Sequence, residues 1–536
     1  MIKLSKDTTK RLVDVHGWSA VVLGLALYVV VLTGSIVVFA HEIGNWSVSG
    51  HQLDHVLAGK VDTKLESLSQ SVKTEYHEEV GIWQNSAGYL IAFFHTHVKN
   101  DQGLMTEKGT RFVLDPEDLS VISREDGMRD DLPVVRSGYL EQFLADLHIR
   151  LHAPDPIGLY LTGILGLVLL VLAVSGFILH RHLILDIFLS PRLSTRLLNT
   201  RDRHNLAGTW GIMFSIILAF TGAFFSFATS LGLPVIAITA FEGDQEKAIR
   251  IIVGAPDKED ATPKPFIGLE SIIERVKQAD VAGSVPVYIS IQHMGRADAK
   301  VTTTHEPNDN TIFYKNYAFS GVTGKYLGEK PRMGTKPSIG SDLVGLMGVL
   351  HYGWFAGILS KIIWLSLGLA TCYVTLTGLQ LWTQRRADQV IWQRLSRLTA
   401  IIGYGTAIAM NTSAIGFLMS YARYPVSVES WTINGFFVGT GLSFAIGLLI
   451  QNQVKRNHAF QQLLGLSLLG MPLLRYLTSE QGWLTLISND NAVVVSLDIS
   501  FLIAGGICLL LSTGFLVKKK TFAKEKNIEE TQVVST

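Results

Sequence analysis

Four stretches of the chain, Trp18 to Ala40, Ile157 to Leu179, Leu206 to Ala228 and Ile362 to Trp382, each run from end to end without a charge. A helix of about 20 apolar residues crosses a hydrocarbon layer of about 30 Å, and helices satisfy their own backbone polar groups where water is absent. All four stretches reach that length. Four further apolar runs follow: Leu398 to Ala422, Trp431 to Ile450, about Phe460 to Leu474, and Ile499 to Val517. The third of these is short and interrupted by Gln461, Gln462 and Pro472. The first run is too long, and too poorly followed by small residues, for a cleaved signal peptide, and is expected to stay as a helix. The expected architecture is a polytopic α-helical membrane protein with about eight transmembrane helices.

Composition narrows the function classes. Only 17% of residues are charged, against about 25% in ordinary soluble domains, which excludes a simple cytosolic enzyme. With 46 Lys+Arg against 45 Asp+Glu the formal charge is +1, and nothing points to a nucleic-acid partner. The only cysteines, Cys372 and Cys508, lie in apolar runs. They offer neither a disulfide framework nor a Cys-x-x-Cys-His for covalent haem attachment.

Basic residues gather in the N-terminal tail (Lys3, Lys6, Lys10, Arg11), between spans two and three (Arg181, Arg192, Arg196, Arg201, Arg203), after span four (Arg385, Arg386, Arg394, Arg397), at Lys455 and Arg456, and at Lys518 to Lys520. The positive-inside rule puts all five groups, and hence both termini, in the cytoplasm. The expected division is a tail and first span (1–41), an outer domain (42–150), spans two and three (151–229), a second outer domain (230–345), span four (346–386), added C-terminal helices (387–520) and a cytoplasmic tail (521–536). Each outer domain reads as a small α+β unit. The first has a helix opening near Leu65 and strands at Tyr89 to His97 and Arg111 to Leu114; the second has a helix at Leu269 and strands at Val285 to Gln292 and Asn316 to Phe319. Read conservatively, these are a pair of spacers.

An internal repeat is the most informative pattern. His16 is followed downstream by Thr33-Gly34, and His204, at the same spacing, by Thr221-Gly222. Leu147-His148 leads to Ser175-Gly176, and Leu350-His351 to Thr377-Gly378, with an offset of a single position. The chain up to about Arg385 therefore reads as two copies of helix, outer domain, helix. The glycines read as packing residues that let helices approach. Histidines at span boundaries are functional candidates by default, although a single one is more often an interfacial anchor.

Helix direction groups them. His16 and His204 fall on the inner side and His148 with His351 on the outer side, an arrangement able to hold one haem per end with imidazole on both faces. His148 and His351 precede their spans by two to three helical turns, which places the outer pair in helical extensions at or above the interface. Leu343 to Leu359 is apolar enough for such an extension. Competing candidates remain: His180 and His182 inside, His41 and His152 outside. His51 with His55, four apart, and His95 with His97, alternating on a strand, have metal-compatible spacings that more often mark a solvated surface.

These motifs, Val15-His16-Gly17-Trp18 with Leu32-Thr33-Gly34, Asp146-Leu147-His148 with Ser175-Gly176, His204 with Thr221-Gly222, and Leu350-His351-Tyr352-Gly353 with Thr377-Gly378, resemble the PepSY-associated transmembrane helix family over about residues 10 to 386. That family includes iron-regulated inner-membrane proteins, among them ferric-siderophore reductases with two non-covalent b-type haems in a four-helix core. The resemblance implies two haem b groups with iron ligated by His16 and His204 on the inside and by His148 and His351 on the outside. It implies a multi-pass protein of the bacterial inner membrane that passes electrons to a periplasmic ferric siderophore or ferric chelate. Arg11, Arg150 and Arg203 are candidates for the propionates, and Trp18 and Trp210 for the haem edges or the interface. The cytoplasmic loops are far too short for a nucleotide-binding domain, so the donor is expected to be a separate reductase or a membrane quinol. The rival reading is a haem-free sensor or regulator that binds peptides through its PepSY-like domains, which leaves the inner histidines unexplained. A transporter fits less well, because the copies share one orientation and no span carries a central charge.

Overall fold

The computed structural model describes residues 4–49, 61–99, 105–180, 185–188, 190–192, 195–245, 247–249, 259–278, 286–307, 311–334, 336–489 and 491–513. His51, His55, His182 and Lys518 to Lys520 lie outside the described residues.

Helices α1 (Lys6–Val37), α2 (Ala40–Val48) and α3 (Val61–Ser69) are followed by strands β1 (Glu79–Gln84), β2 (Leu90–Lys99), β3 (Met105–Leu114) and β4 (Val121–Met128). Then come α4 (Tyr139–Arg150), α5 (Ile157–Leu179), α6 (Arg196–Phe227), α7 (Leu233–Ala240) and α8 (Leu269–Gln278). A second set of strands, β5 (Tyr288–Gln292), β6 (Lys300–His305), β7 (Lys315–Ser320) and β8 (Tyr326–Lys330), leads into α9 (Ile339–Tyr352) and α10 (Gly357–Gln384). The chain continues with α11 (Val390–Arg423), α12 (Val428–Leu449), α13 (Gln453–Ser479), α14 (Trp483–Ser488) and α15 (Ala492–Ser512).

Among the described residues seven helices, α1, α5, α6, α10, α11, α12 and α15, are long and apolar enough to cross a membrane. The protein is polytopic. The remaining expected span, about Phe460 to Leu474, lies inside α13, a helix of 27 residues. Arg456, Gln461, Gln462 and Arg475 keep α13 below the hydropathy of the other seven, although it packs along α15 with Gly465 and Gly505 in close backbone approach.

The two α+β segments differ from expectation in one respect: they share a single eight-stranded antiparallel sheet in the order β4-β3-β2-β1-β5-β6-β7-β8. The seam pairs β1 with β5, from Glu79 opposite Gln292 to Trp83 opposite Tyr288. An unpaired edge strand leaves its backbone groups open to another strand, and each half closes the edge of the other. Alternation along the strands buries Val80, Ile82, Phe94, Phe112, Ile289, Ile291 and Phe319 under α3 and α8. Asp62 of α3 also accepts hydrogen bonds from the Leu269 and Glu270 amides at the start of α8, so one half caps a helix of the other.

α4 and α9 are not extensions of the spans that follow them, which corrects that expectation. α4 ends at Leu151 and α9 at Gly353, both left-handed, with φ of 52° and 69°. Such a cap stops a helix and redirects the chain, so each segment forms its own short helix beside the bundle. The C-terminal helices pack through small residues: a Cβ at Gly416, Gly435, Gly439 or Gly447 would strike the facing helix of the α11–α12 pair. They join the core where the Tyr28 hydroxyl donates to the Gly403 carbonyl at 2.6 Å. A second tie is the buried ion pair of Arg475 and Asp498 at 2.8 Å, to which Trp46 and Trp483 each donate through Nε1 at 2.8 Å.

Candidate functional site: four seated histidines

Each of the four histidines singled out by the repeat rests against a neighbouring helix in the same manner. His16 of α1 meets Ser175 Oγ of α5 through Nδ1 at 2.9 Å, while the Ser175 hydroxyl donates to the Val171 carbonyl. His204 of α6 meets the Val374 carbonyl and Thr377 Oγ1 of α10 at 3.0 and 3.2 Å. His148 of α4 meets the Val30 carbonyl of α1 at 3.0 Å. His351 of α9 meets Thr221 Oγ1 of α6 at 3.0 Å, and the Thr221 hydroxyl is spent on the Ile217 carbonyl.

In every case the partner is an acceptor, either a carbonyl or a hydroxyl whose own hydrogen is engaged. Each Nδ1 therefore carries the proton and donates, which leaves Nε2 as the basic nitrogen of a neutral imidazole. A histidine so tied through one nitrogen is oriented to bind a metal through the other.

The repeated small residues have a more specific task than helix packing. A Cβ at Gly34 would lie 2.6 Å from Cε1 of His148; at Gly222, 3.2 Å from Cε1 of His351; at Gly378, 3.3 Å from Cε1 of His204; and at Gly176, 3.5 Å from Cε1 of His16. The glycine, with the neighbouring hydroxyl for His16, His204 and His351 and with the Val30 carbonyl for His148, is thus a seat for a ring. Its sequence signal was visible in the repeat, but that each seat receives a histidine from another helix was not, because the contact depends on packing between helices.

The rings group by level. His148 and His351, one from each half, stand with ring centroids 6.3 Å apart and planes inclined by 28°. His16 and His204 sit at the other end, against Ser175 and Thr377 in the C-terminal parts of α5 and α10. The interval along α1 from His16 to the seat at Gly34 equals the interval along α6 from His204 to the seat at Gly222. At a rise of about 1.5 Å per residue it amounts to about 27 Å of helix, so the pairs occupy opposite ends of the bundle. All four histidines are partly buried and keep some accessible surface.

The competing candidates have other neighbours. His180 Nε2 contacts Thr209 Oγ1 at 3.1 Å, and His152 packs on Phe143 with centroids 4.4 Å apart. His41 lies on α2. Among the arginines, Arg150 is engaged by Asp146 and Asp155, and Arg11 by Asp7 one turn away. Trp18 joins Trp382 and Trp392 in an edge-to-face cluster near His16, with Arg386 3.7 Å above Trp382, an arrangement typical of a membrane interface. Trp210 donates to the Ile187 carbonyl at 3.0 Å.

Seven helices long and apolar enough to cross a membrane, with one antiparallel sheet shared by two halves of the chain, make this a multi-pass membrane protein. The chain belongs to the PepSY-associated TM region family, which it matches over residues 13–385. All four histidines and all four seats fall within that stretch. The chain is also similar to an uncharacterized protein of Pseudomonas aeruginosa, 26% identical over 260 residues, covering 46% of this chain and 64% of that protein. It thus spans less than two thirds of that relative's length.

Proposed function

We propose that the protein carries electrons across the bacterial inner membrane through two non-covalent b-type haems to a ferric siderophore or ferric chelate on the outer side. The observation that carries this reading is the common state of the four histidines: Nδ1 donates to a neighbouring helix in each, and two of the rings lie at each end of the bundle. Two imidazoles on opposite faces of one ion, each bound through nitrogen at about 2.0–2.1 Å, place their ring centres about 6 Å apart. His148 and His351 stand at 6.3 Å. Haem held by two imidazoles supplies one-electron transfer and leaves no open position for oxygen.

The chain's own part is placement. The acceptors at Val30, Ser175, Thr221 and Val374 hold the ring orientation and raise the basicity of Nε2. The glycine seats let each ring approach without a side chain in its way. The helices between the two levels exclude water, and the sheet unit, on the outer side by the positive-inside rule, shapes the place where the acceptor arrives. In this reading α13 crosses the membrane as an eighth span, which returns the chain to the cytoplasm, and the core comprises two copies of one unit. The donor is a separate cytoplasmic reductase or a membrane quinol.

The test is the absorption spectrum of the purified protein, oxidised and then reduced with dithionite, with haem quantified after acid-acetone extraction. Two extractable haems per chain are expected. A folded protein with no Soret band after expression in ample haem overturns the proposal.

A further inference from the structure

On the face of the sheet opposite α3 and α8, beside the seam between the halves, two histidines and two carboxylates form a compact grid on three adjacent strands. Glu79 of β1 stands opposite His95 of β2, and His97 of β2 opposite Glu107 of β3. His95 Nε2 lies 3.9 Å from Glu79 Oε2 and 3.9 Å from Glu107 Oε2. One ligand atom each from Glu79, His95 and His97 come within 4.8 Å of one another. We infer that this grid is a site for a divalent first-row transition ion of the Zn2+ or Fe2+ kind, distinct from the four histidines of the bundle.

Three features point past a chance cluster of polar side chains. The first is orientation. His95 Nδ1 is directed at the Phe93 carbonyl at 3.2 Å, which turns Nε2 toward the carboxylates. His97 Nδ1 is held by Glu78 Oε1 at 3.1 Å, the carboxylate-histidine pairing that prepares an imidazole for a metal. Glu79 Oε1 accepts from Ser290 Oγ at 2.5 Å, so that Oε2 is the oxygen left toward His95. That last bond crosses the seam, and the second half of the sheet thereby helps to orient a ligand of the first.

The second feature is charge. Glu78, Glu79 and Glu107 surround the two imidazoles, and among the described residues the cation paired with this group is Arg129, which meets Glu107 at 2.6 Å. A dication balances the remainder. The third is the donor set itself. Two imidazoles with one or two carboxylates suit zinc and ferrous iron, whereas magnesium and calcium take oxygen ligands. Four-coordinate zinc requires ligand atoms about 3.3 Å apart, against separations of up to 4.8 Å here, and Glu79 and His97 are the members of the grid that reach the accessible surface.

The experiment uses the purified full-length chain, free of any affinity tag, stripped with chelator and titrated with Zn2+ by calorimetry and with Co2+ by visible absorption. The wild type is expected to bind one ion that Glu79→Gln and His97→Asn each weaken at least tenfold and that the double variant loses. Glu78→Gln, which removes only the orienting partner, should weaken binding about 10- to 100-fold. His97 and Glu79 are chosen because they are not core residues; unchanged elution and thermal melting establish that the variants fold, and His148→Ala should retain the ion. A wild type that takes up no Zn2+ at 100-fold excess, or a folded double variant that binds it as the wild type does, overturns the inference.

Discussion

Gly34→Ala is the substitution that most directly probes the seats. The added Cβ would lie 2.6 Å from His148 Cε1, 2.9 Å from Nδ1 and 3.2 Å from Nε2, whereas ordinary contact begins at 3.4 Å. The His148 ring must retreat by about 0.8 Å, and it is tethered to the Val30 carbonyl of the same helix, so it cannot simply rotate aside. Ligand constellations need placement within about 0.5 Å. Overpacking of this kind costs roughly 1–3 kcal/mol, which corresponds to about 5- to 150-fold in occupancy at the outer level. Gly176→Ala is the built-in control, since its Cβ would meet His16 at 3.5 Å, an ordinary contact. Haem content and the reduced-minus-oxidised spectrum should show loss at the outer site in Gly34→Ala, little change in Gly176→Ala, and an intermediate effect for Gly222→Ala and Gly378→Ala. If Gly34→Ala keeps both haems with an unaltered spectrum, or Gly176→Ala is the more damaging, the seats do not position ligands.

Replacing either member of a pair by Ala should remove about one haem, and replacing one from each pair should remove both, because the levels lie about 27 Å apart along the helices. His180→Ala should keep both haems, with at most a shift in potential; extraction and redox titration read the result. Asp498→Ala leaves Arg475 buried without its counter-ion and strips Trp46 and Trp483 of their acceptor; a loss of about 3–5 kcal/mol is expected, seen as a large drop in thermal melting in detergent, and an unchanged melting point refutes the structural role given to this cluster. A reporter inserted in the β3–β4 turn should be active only outside the cytoplasm, and cytoplasmic activity there reverses the orientation.

Much of this arrangement was legible in the chain. Uncharged runs marked the spans because length and hydropathy act locally; the repeated spacing of His16 and His204 to Thr-Gly pairs brought out two histidines, and the match of Leu147-His148 to Ser175-Gly176 with Leu350-His351 to Thr377-Gly378 brought out the other two. Four things were hidden wholly or in part. Leu151 adopts a left-handed cap without being glycine, so the break between α4 and α5 was signalled only by Pro154 and Pro156 just beyond it. β1, short and with Gly81 near its centre, carried too weak an alternation to be read as a strand. Its pairing with β5 joins Glu79 to Gln292 and Trp83 to Tyr288, segments separated by α5, α6 and the loop between them, and no local pattern encodes that. The polar residues of α13 obscured its length for the opposite reason: Arg475 is satisfied by Asp498 on another helix, so the helix carries a charge in the fold that hydropathy alone counts against it.

The seam explains how two histidines from different halves come to face each other. Each half delivers its own ring to its own seat: His148 rests on α1 and His351 on α6. Nothing within either half sets the distance between them. That distance depends on how the halves dock, and the docking is held at two levels, by the spans and by the shared sheet. The sheet leads directly into the helices that carry the rings, β4 toward α4 and β8 toward α9. Asn85, in the β1–β2 turn, donates to Ser137 just before α4, and Asn45 of α2 donates to the Ser86 carbonyl. In the second half the Met333 amide, just after β8, donates to Ser341 Oγ in the first turn of α9. Because β1 and β5 pair as neighbours in one antiparallel sheet, the positions of α4 and α9 are related across the same seam that relates the strands. The β1–β5 pairing therefore constrains the spacing of the His148–His351 pair from the sheet side, as the packing of α10 on α1 does within the bundle, where Gly24 faces Leu379 and Gly368 faces Ser35.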